Sequence, residues 1–187
     1  MKKPLELPDS NYLNQALSYN KDTGDIAWKL RPPSHFKNRN AYESFNGRYA
    51  GKKAGSVSRN GYLKIGIDGV SYLAHRLIYK MKKGVDPSGE IDHRDTDRLN
   101  NKWSNLRLST SSQNQHNASI RKDNKTGFKG VHFDKKRNKY VAHVRVDGRT
   151  VYQEFFDDPE EAYKARCKAA KRLHKRFARN ETKIKAA

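Results

Sequence analysis

Leu, Ile, Val and Phe supply only 34 of the 187 residues, a share at which many chains cannot bury enough apolar surface to fold. One large hydrophobic core is out of reach. Two thin-cored modules that gain from a partner fit better. The charge points to the kind of partner. Forty Lys and Arg stand against twenty Asp and Glu, a formal net charge of +20, and such a surface attracts a polyanion. Residues 1–120 carry +9 and residues 121–187 carry +11. The second part is more basic per residue, yet apolar alternation and turn signals run through it, so it is not a plain basic tail.

Other classes fall away. No apolar run approaches the ~18 residues of a membrane span, and Met1-Lys2-Lys3-Pro4-Leu5-Glu6 lacks the apolar stretch of a secretory signal. A single cysteine, Cys167, excludes an intrachain disulfide and any structural zinc site needing two or more cysteines. A protein of the reducing cytoplasm with no membrane partner is expected. Cys167 itself reads as a small filler in a basic helix.

The expected fold class is α+β. Leu13, Ala16 and Leu17 have helical spacing, and Asp22-Thr23-Gly24 turns the chain before Ile26-Ala27-Trp28. Residues 31–50, with Pro32-Pro33 and Asn46-Gly47, read as irregular. Asn60-Gly61 and Asp68-Gly69 are hairpin signals, which predict a meander over 53–58, 62–67 and 70–74. A short amphipathic helix follows from Ala74 and ends before Gly84. Glu90–His93 and Leu106–Leu108 are strand-like, and Ser109-Thr110-Ser111-Ser112 offers caps for a helix through Asn117. After a polar run, three alternating strands occupy Phe128–Phe133, Tyr140–Val146 and Thr150–Phe156. A helix then opens with Asp158 as N-cap, Pro159 at N1 and Glu161 at N3. The expected division is an accessory region 1–50, a core 51–118, a linker 119–126, and a sheet-plus-helix domain 127–180.

Reactive side chains are densest at Asp92-His93, followed by Asn100-Asn101, Asn105 and Asn114. A carboxylate and an amide oxygen are hard ligands suited to Mg²⁺ rather than to a dedicated zinc cage. A neutral histidine beside them can take a proton from water near pH 7. Singly, each of these residues is most simply a surface pair or a turn. Together, on a basic background, they point to phosphodiester chemistry.

Ile91-Asp92-His93, Asn100-Asn101, Asn105-Leu106-Arg107 and Asn114 resemble the ββα-metal motif of HNH endonucleases, in the phage and intron-homing branch. Leu73-Ala74-His75-Arg76-Leu77-Ile78 resembles the segment that introduces the motif there. The resemblance covers roughly residues 50–118. It implies a ββα-metal nuclease core behind the meander, with His93 as general base, Asp92 as a ligand of one divalent cation (Mg²⁺, or another such as Mn²⁺) and Asn114 as the second ligand. Asn117, one turn further on, is the rival for that position. Asn105 would be the middle Asn that bonds across the loop to hold His93 in place. Hydrolysis of DNA to 5′-phosphate and 3′-hydroxyl is implied, in a phage-infected host. His75 is expected to pack behind the site and His116 to face solvent or the DNA backbone.

In the second module, Ala142, Val144 and Val146 are expected to face the helix. Lys129, His132, His143, Arg145, Arg149, Thr150 and Tyr152 would form a free, basic sheet face that reads a DNA groove, with Val141 also outward. Gly130-Val131, Tyr140-Val141-Ala142, Asp147-Gly148, Phe155-Phe156, Glu160-Glu161-Ala162 and Ala169-Ala170 resemble the apetala/ethylene-response-factor type of DNA-binding domain, with Arg166 where an aromatic is common. Arg76 and Arg94 are further candidate DNA contacts. The expected partner is double-stranded DNA, bound by a monomer or homodimer. The rivals are a non-enzymatic sequence-specific DNA-binding regulator and a basic RNA-binding protein.

Overall fold

Asp9 caps the first helix, its carboxylate accepting from the N–H groups of Asn11 and Tyr12. This helix, α1 (Ser10–Ala16), buries Leu13 and Ala16. It runs straight into β1 (Leu17–Tyr19), which pairs antiparallel with β2 (Ile26–Trp28), Leu17 opposite Trp28 and Tyr19 opposite Ile26. The computed structural model describes residues 5–121 and 123–182. Its chain divides into two units, residues 1–108 and 109–187.

Residues 31–50 depart from the irregular reading, because they contain α2 (Arg39–Tyr49). Asn38 caps it, accepting from the Ala41 N–H at 2.9 Å. Phe45 meets Trp28 edge-on at 5.0 Å. The Asn46 side chain exchanges two 3.0 Å bonds with the Arg31 backbone. These tertiary partners outweigh the turn propensity of Asn46-Gly47. Arg31 is itself only 2% exposed. Its guanidinium pairs with Asp68 at 3.0 Å and lies against the rings of Phe36 and Phe45, at 4.7 and 4.9 Å.

The meander forms as β3 (Ser56–Val57), β4 (Leu63–Ile67) and β5 (Val70–Leu73), in that order in one sheet. Asp68 and Gly69 both take positive φ, 51° and 81°, the requirement of the tight hairpin turn the sequence signals. β5 passes directly into α3 (Ala74–Lys83), which Gly84 closes in the left-handed region. Leu13, Leu17, Ile65, Ile67, Leu77 and Ile78 are fully buried in one core with Ile26, Trp28, Ile91 and Leu106. Each fully buried aliphatic side chain of this kind contributes roughly 1.5–3 kcal/mol. Residues 1–50 supply six of that core's buried members (Leu7, Leu13, Ala16, Leu17, Ile26 and Trp28). β6 (Glu90–His93) and β7 (Leu106–Ser109) pair as a two-stranded sheet.

The second unit opens with α4 (Ser111–Asn117), held by a capping box between Thr110 and Gln113. The segment 119–126 lies inside this unit, where the Ile120 N–H bonds the Glu181 carboxylate at 2.8 Å. The three strands are β8 (Val131–Asp134), β9 (Lys139–Val146) and β10 (Arg149–Phe156), antiparallel with β9 central. β8 starts later than Phe128 because Gly127 and Gly130 take φ of 77° and 74°, which breaks an extended strand. α5 (Pro159–His174) begins as the sequence predicts, the Asp158 carboxylate accepting from Glu160 and Glu161 at 2.8 Å. It sets Ala162, Ala169 and Ala170 against Val131, Ala142 and Val144. Val146, at the strand end, is half-buried.

Two expectations for this sheet are corrected. Val141 stays on the side of His143 but is buried rather than exposed, between its cross-strand neighbours His132 and Phe155. Tyr152 packs with the helix-side core instead of the free face. A register shift between Thr150 and Tyr152 puts Thr150 opposite Arg145 but Tyr152 opposite Val144. The extra residue of such a bulge reverses the alternation that would keep the two on one face.

Candidate active site and nucleic-acid face

β6 delivers Asp92 and His93, each only 4% exposed. Adjacent strand residues point to opposite sides, and the two side chains have different surroundings. Asp92 Oδ2 accepts from both Nε and Nη2 of Arg107, on β7, at 2.7 Å. Both partners are buried, so this is an ion pair removed from water. Arg107 lies within the motif, and nothing in the sequence marks it as the partner of Asp92.

His93 Nε2 lies 3.3 Å from Asn101 Oδ1. The ring meets His75 edge-on at 5.1 Å, with Tyr62 at 6.1 Å. Burial pushes the His93 pKa below its usual value, against the opposing pull of the Asn101 bond and of Asp95, Asp92 and Asp97. The imidazole is therefore neutral at neutral pH, the form a general base needs. His75 packs behind it, its pKa pushed down to about 3 by burial and then by the neighbouring charges of His93 and Arg76.

That depression has a measurable consequence. The folded pKa of His75 lies below its unfolded value of 6.5, so the unfolded chain takes the proton first. Its contribution is complete above that value and is lost as pH falls from about 6.5 toward 3. Urea unfolding of a non-titrating His75→Gln variant between pH 7 and pH 4 should show a shallower loss of stability than the parent. Parallel slopes would count against a buried neutral His75.

The loop 94–104 is organised by Asn105 and Asp95. Asn105 Oδ1 accepts from the Asp95 N–H at 3.1 Å, and Nδ2 donates to Asp95 Oδ1 at 2.9 Å and to the Asn100 carbonyl at 2.8 Å. Burial acts to raise the Asp95 pKa, but the bonds from Asn100 and Asn105 outweigh it and hold the carboxyl low. Asn105 thus bonds across the loop that follows His93, to Asp95 and Asn100. Its amide ties the loop, and the amide bonded to the imidazole belongs to Asn101. Asn105 ends the short 3-10 turn Trp103–Asn105, and its own carbonyl takes the Arg94 N–H at 2.9 Å. That fixes it opposite Asp95.

Asn114 is half-buried and Asn117 buried, one turn apart on α4. A carboxylate like that of Asp92 and an amide oxygen like that of Asn114 are each donors of the kind a hard divalent ion prefers. Among the described residues, no group of three or more His, Cys, Asp or Glu side chains is placed to hold a metal.

The basic candidates divide. Arg94 is exposed beside His93. Arg76 is half-buried and donates to the Gly89 carbonyl at 3.1 Å. It also lines a groove of about 450 Å³ with Tyr62, Lys64 and Tyr72. Arg98, which sequence reasoning missed, lies over the Tyr62 ring at 4.8 Å and donates to the Asn60 carbonyl at 2.7 Å. In the second unit His132, Arg145, Arg149 and Thr150 are exposed, and His143 is half-buried 5.3 Å from His132. Lys129 leaves this group. Its ammonium donates to the carbonyls of His116 and Ala118, at the end of α4, a usual place for a cation. Burial, then Arg166 and Arg179, push its pKa down to about 8. His116 is not a solvent-facing side chain either; it stacks on His174 at 3.5 Å.

The family model of the HNH endonucleases matches residues 72–116. Protein 3.8 of Escherichia phage T7 is 33% identical over 76 residues, covering 40% of this chain and 63% of that protein. A solved structure described as DNA binding and cleavage by the HNH homing endonuclease I-HmuI is 23% identical. It covers 60% of this chain and 57% of its own, with a TM-score of 0.39. The chain thus spans less than two thirds of either relative. Among the described residues no helix is long and apolar enough to cross a membrane.

Proposed function

We propose that the HNH endonuclease domain carried by residues 72–116 makes this chain a divalent-metal-dependent nuclease that hydrolyses double-stranded DNA. The observation that carries the reading is the buried, neutral His93 next to the Asp92 carboxylate, inside the matched segment. His93 accepts the proton of the attacking water. The new P–O bond forms as the bond to the 3′ oxygen breaks, and that oxygen leaves as a 3′-hydroxyl once protonated, with phosphate kept on the 5′ end. Asp92 and Asn114 would hold the cation, whose chemistry there is Lewis-acid polarisation of the phosphate and stabilisation of the leaving oxygen. Asn105 keeps the loop closed beside His93 through its bonds to Asp95 and Asn100.

The second unit docks the duplex. Arg145, Arg149, Thr150 and His132 are exposed on a three-stranded sheet backed by a helix. Cations so placed position a protein on the phosphate backbone. This resemblance to apetala/ethylene-response-factor domains supports a site-selecting role, and the phage relative supports action in the cytoplasm of an infected bacterium. One active site per chain cuts one strand at a time, so a monomer nicks and a homodimer cuts both strands.

Supercoiled plasmid incubated with the full chain should relax to nicked circles with Mg²⁺ or Mn²⁺ and stay intact with EDTA. End-labelling should find 5′-phosphate and 3′-hydroxyl. No cleavage with any divalent ion, on plasmid or on parent phage DNA, overturns the reading.

A further inference from the structure

Residues 1–50 enter the nuclease reading without a task of their own, yet one part of them reaches the catalytic loop. The turn between β1 and β2 is built on Asn20, whose Oδ1 accepts from the N–H groups of Asp22 and Thr23. The Asn20 carbonyl takes the Gly24 N–H at 2.9 Å. Gly24, at φ 81°, sits so close to the loop that a Cβ there would lie 2.7 Å from Lys102 N and 2.8 Å from Asn101 C. On one side the Lys21 carbonyl accepts the Trp103 N–H at 3.0 Å. On the other, the Tyr19 hydroxyl donates to the Asn101 carbonyl at 2.8 Å. Three residues of one hairpin grip the backbone from 101 to 103.

Asn101 is 2% exposed. Its Nδ2 donates to the Leu99 carbonyl at 3.3 Å, which fixes the orientation of the amide and turns Oδ1 toward His93 Nε2. An amide oxygen only accepts, so Nε2 must carry the hydrogen. In neutral imidazole the lone pair then resides on Nδ1.

We infer that the β1–β2 hairpin is a positioning element for the nuclease site: it fixes Asn101, and Asn101 holds His93 in the Nε2–H tautomer with Nδ1 as the basic nitrogen. Tyr19, Gly24 and Asn101 are positioning residues and act through His93. The consequence for rate rests on the nuclease reading; the tautomer does not.

The experiment is histidine-selective ¹⁵N NMR of the full chain at pH 8, with the His93 signals assigned by their loss in His93→Gln, alongside plasmid-nicking kinetics. The parent should show His93 as Nε2–H. Asn101→Leu should give a mixed or Nδ1–H population and lower kcat by roughly 10²-fold or more, with KM for DNA within about twofold. Asn101→Asp keeps an acceptor in place and should retain the Nε2–H form. Tyr19→Phe removes one hydroxyl and should cost about 3–10-fold in kcat, the loss of one neutral hydrogen bond, without unfolding the unit. His93 as Nδ1–H in the parent, or as Nε2–H unchanged in Asn101→Leu, overturns the inference. So does a kcat of Tyr19→Phe equal to the parent's. A parent that cuts no DNA overturns the nuclease reading instead, and its tautomer still decides the role of Asn101.

Discussion

A His93→Gln chain should cleave DNA ~10²–10⁴-fold more slowly than the parent while binding it equally well. Glutamine fills much of the same buried space, so the fold should be kept, but it has no group that can accept the proton of water near pH 7. The loss should appear in kcat, not in KM, because proton transfer belongs to the transition state. Single-turnover nicking with excess enzyme, beside a DNA-binding titration in EDTA, separates the two quantities. Retained cleavage would move the general base elsewhere in the chain. Lost cleavage together with lost binding would mean that His93 contacts DNA in the ground state.

Arg107→Met should destabilise the first unit by about 3–5 kcal/mol, because it strands a buried carboxylate without its cation. The pair is well made, with Nε and Nη2 both 2.7 Å from the same oxygen of Asp92 and little of either side chain reaching water. Replacing both partners is less harmful than replacing one, so Asp92→Asn/Arg107→Met should recover much of the loss. The cycle of two single variants and the double variant gives the coupling. With two units in the chain, the transition to follow is that of the first unit, since a single global midpoint would mix two events. An Arg107→Met chain as stable as the parent would show that water reaches Asp92.

The two predictions bear on different readings of one strand. His93 is legible in the sequence because Ile91-Asp92-His93 and the Asn residues after it resemble, as a set, the motif of a known family. The Asp92–Arg107 pair is not, since a carboxylate beside a metal motif reads as a ligand and its burial appears only in three dimensions. The helices follow the same division. α3, α4 and α5 carry their stop and start signals locally, in Gly84, in Thr110 with Gln113, and in Asp158 with Pro159. α2 carries a turn signal at Asn46-Gly47 and folds as a helix only because Trp28 and Arg31 receive Phe45 and Asn46.

The side chains of the loop and the sheet take their places from contacts distant in sequence. Asn101 and Asn105 are alike in sequence context, and which of them faces His93 depends on a path bent through Thr96 at φ 68°. Tyr152 lost its expected face to one extra residue in β10. Lys129 sits among candidate DNA contacts in sequence, but the end of α4 claims its charge. None of these outcomes has a local sequence signal.

The membership of the first core has an evolutionary consequence. Leu13, Leu17, Ile26 and Trp28 share one interior with Ile65, Leu77 and Ile91, and Arg31 pins the Asp68 turn from the same side. The stretch that relatives share, residues 72–116, is thus smaller than the body that must be inherited whole. A recombination junction near residue 50 would transmit the reactive side chains and leave half of their packing behind. Exchange among related genes should therefore preserve the front of the chain together with its motif, and shuffle most freely near the junction of the two units.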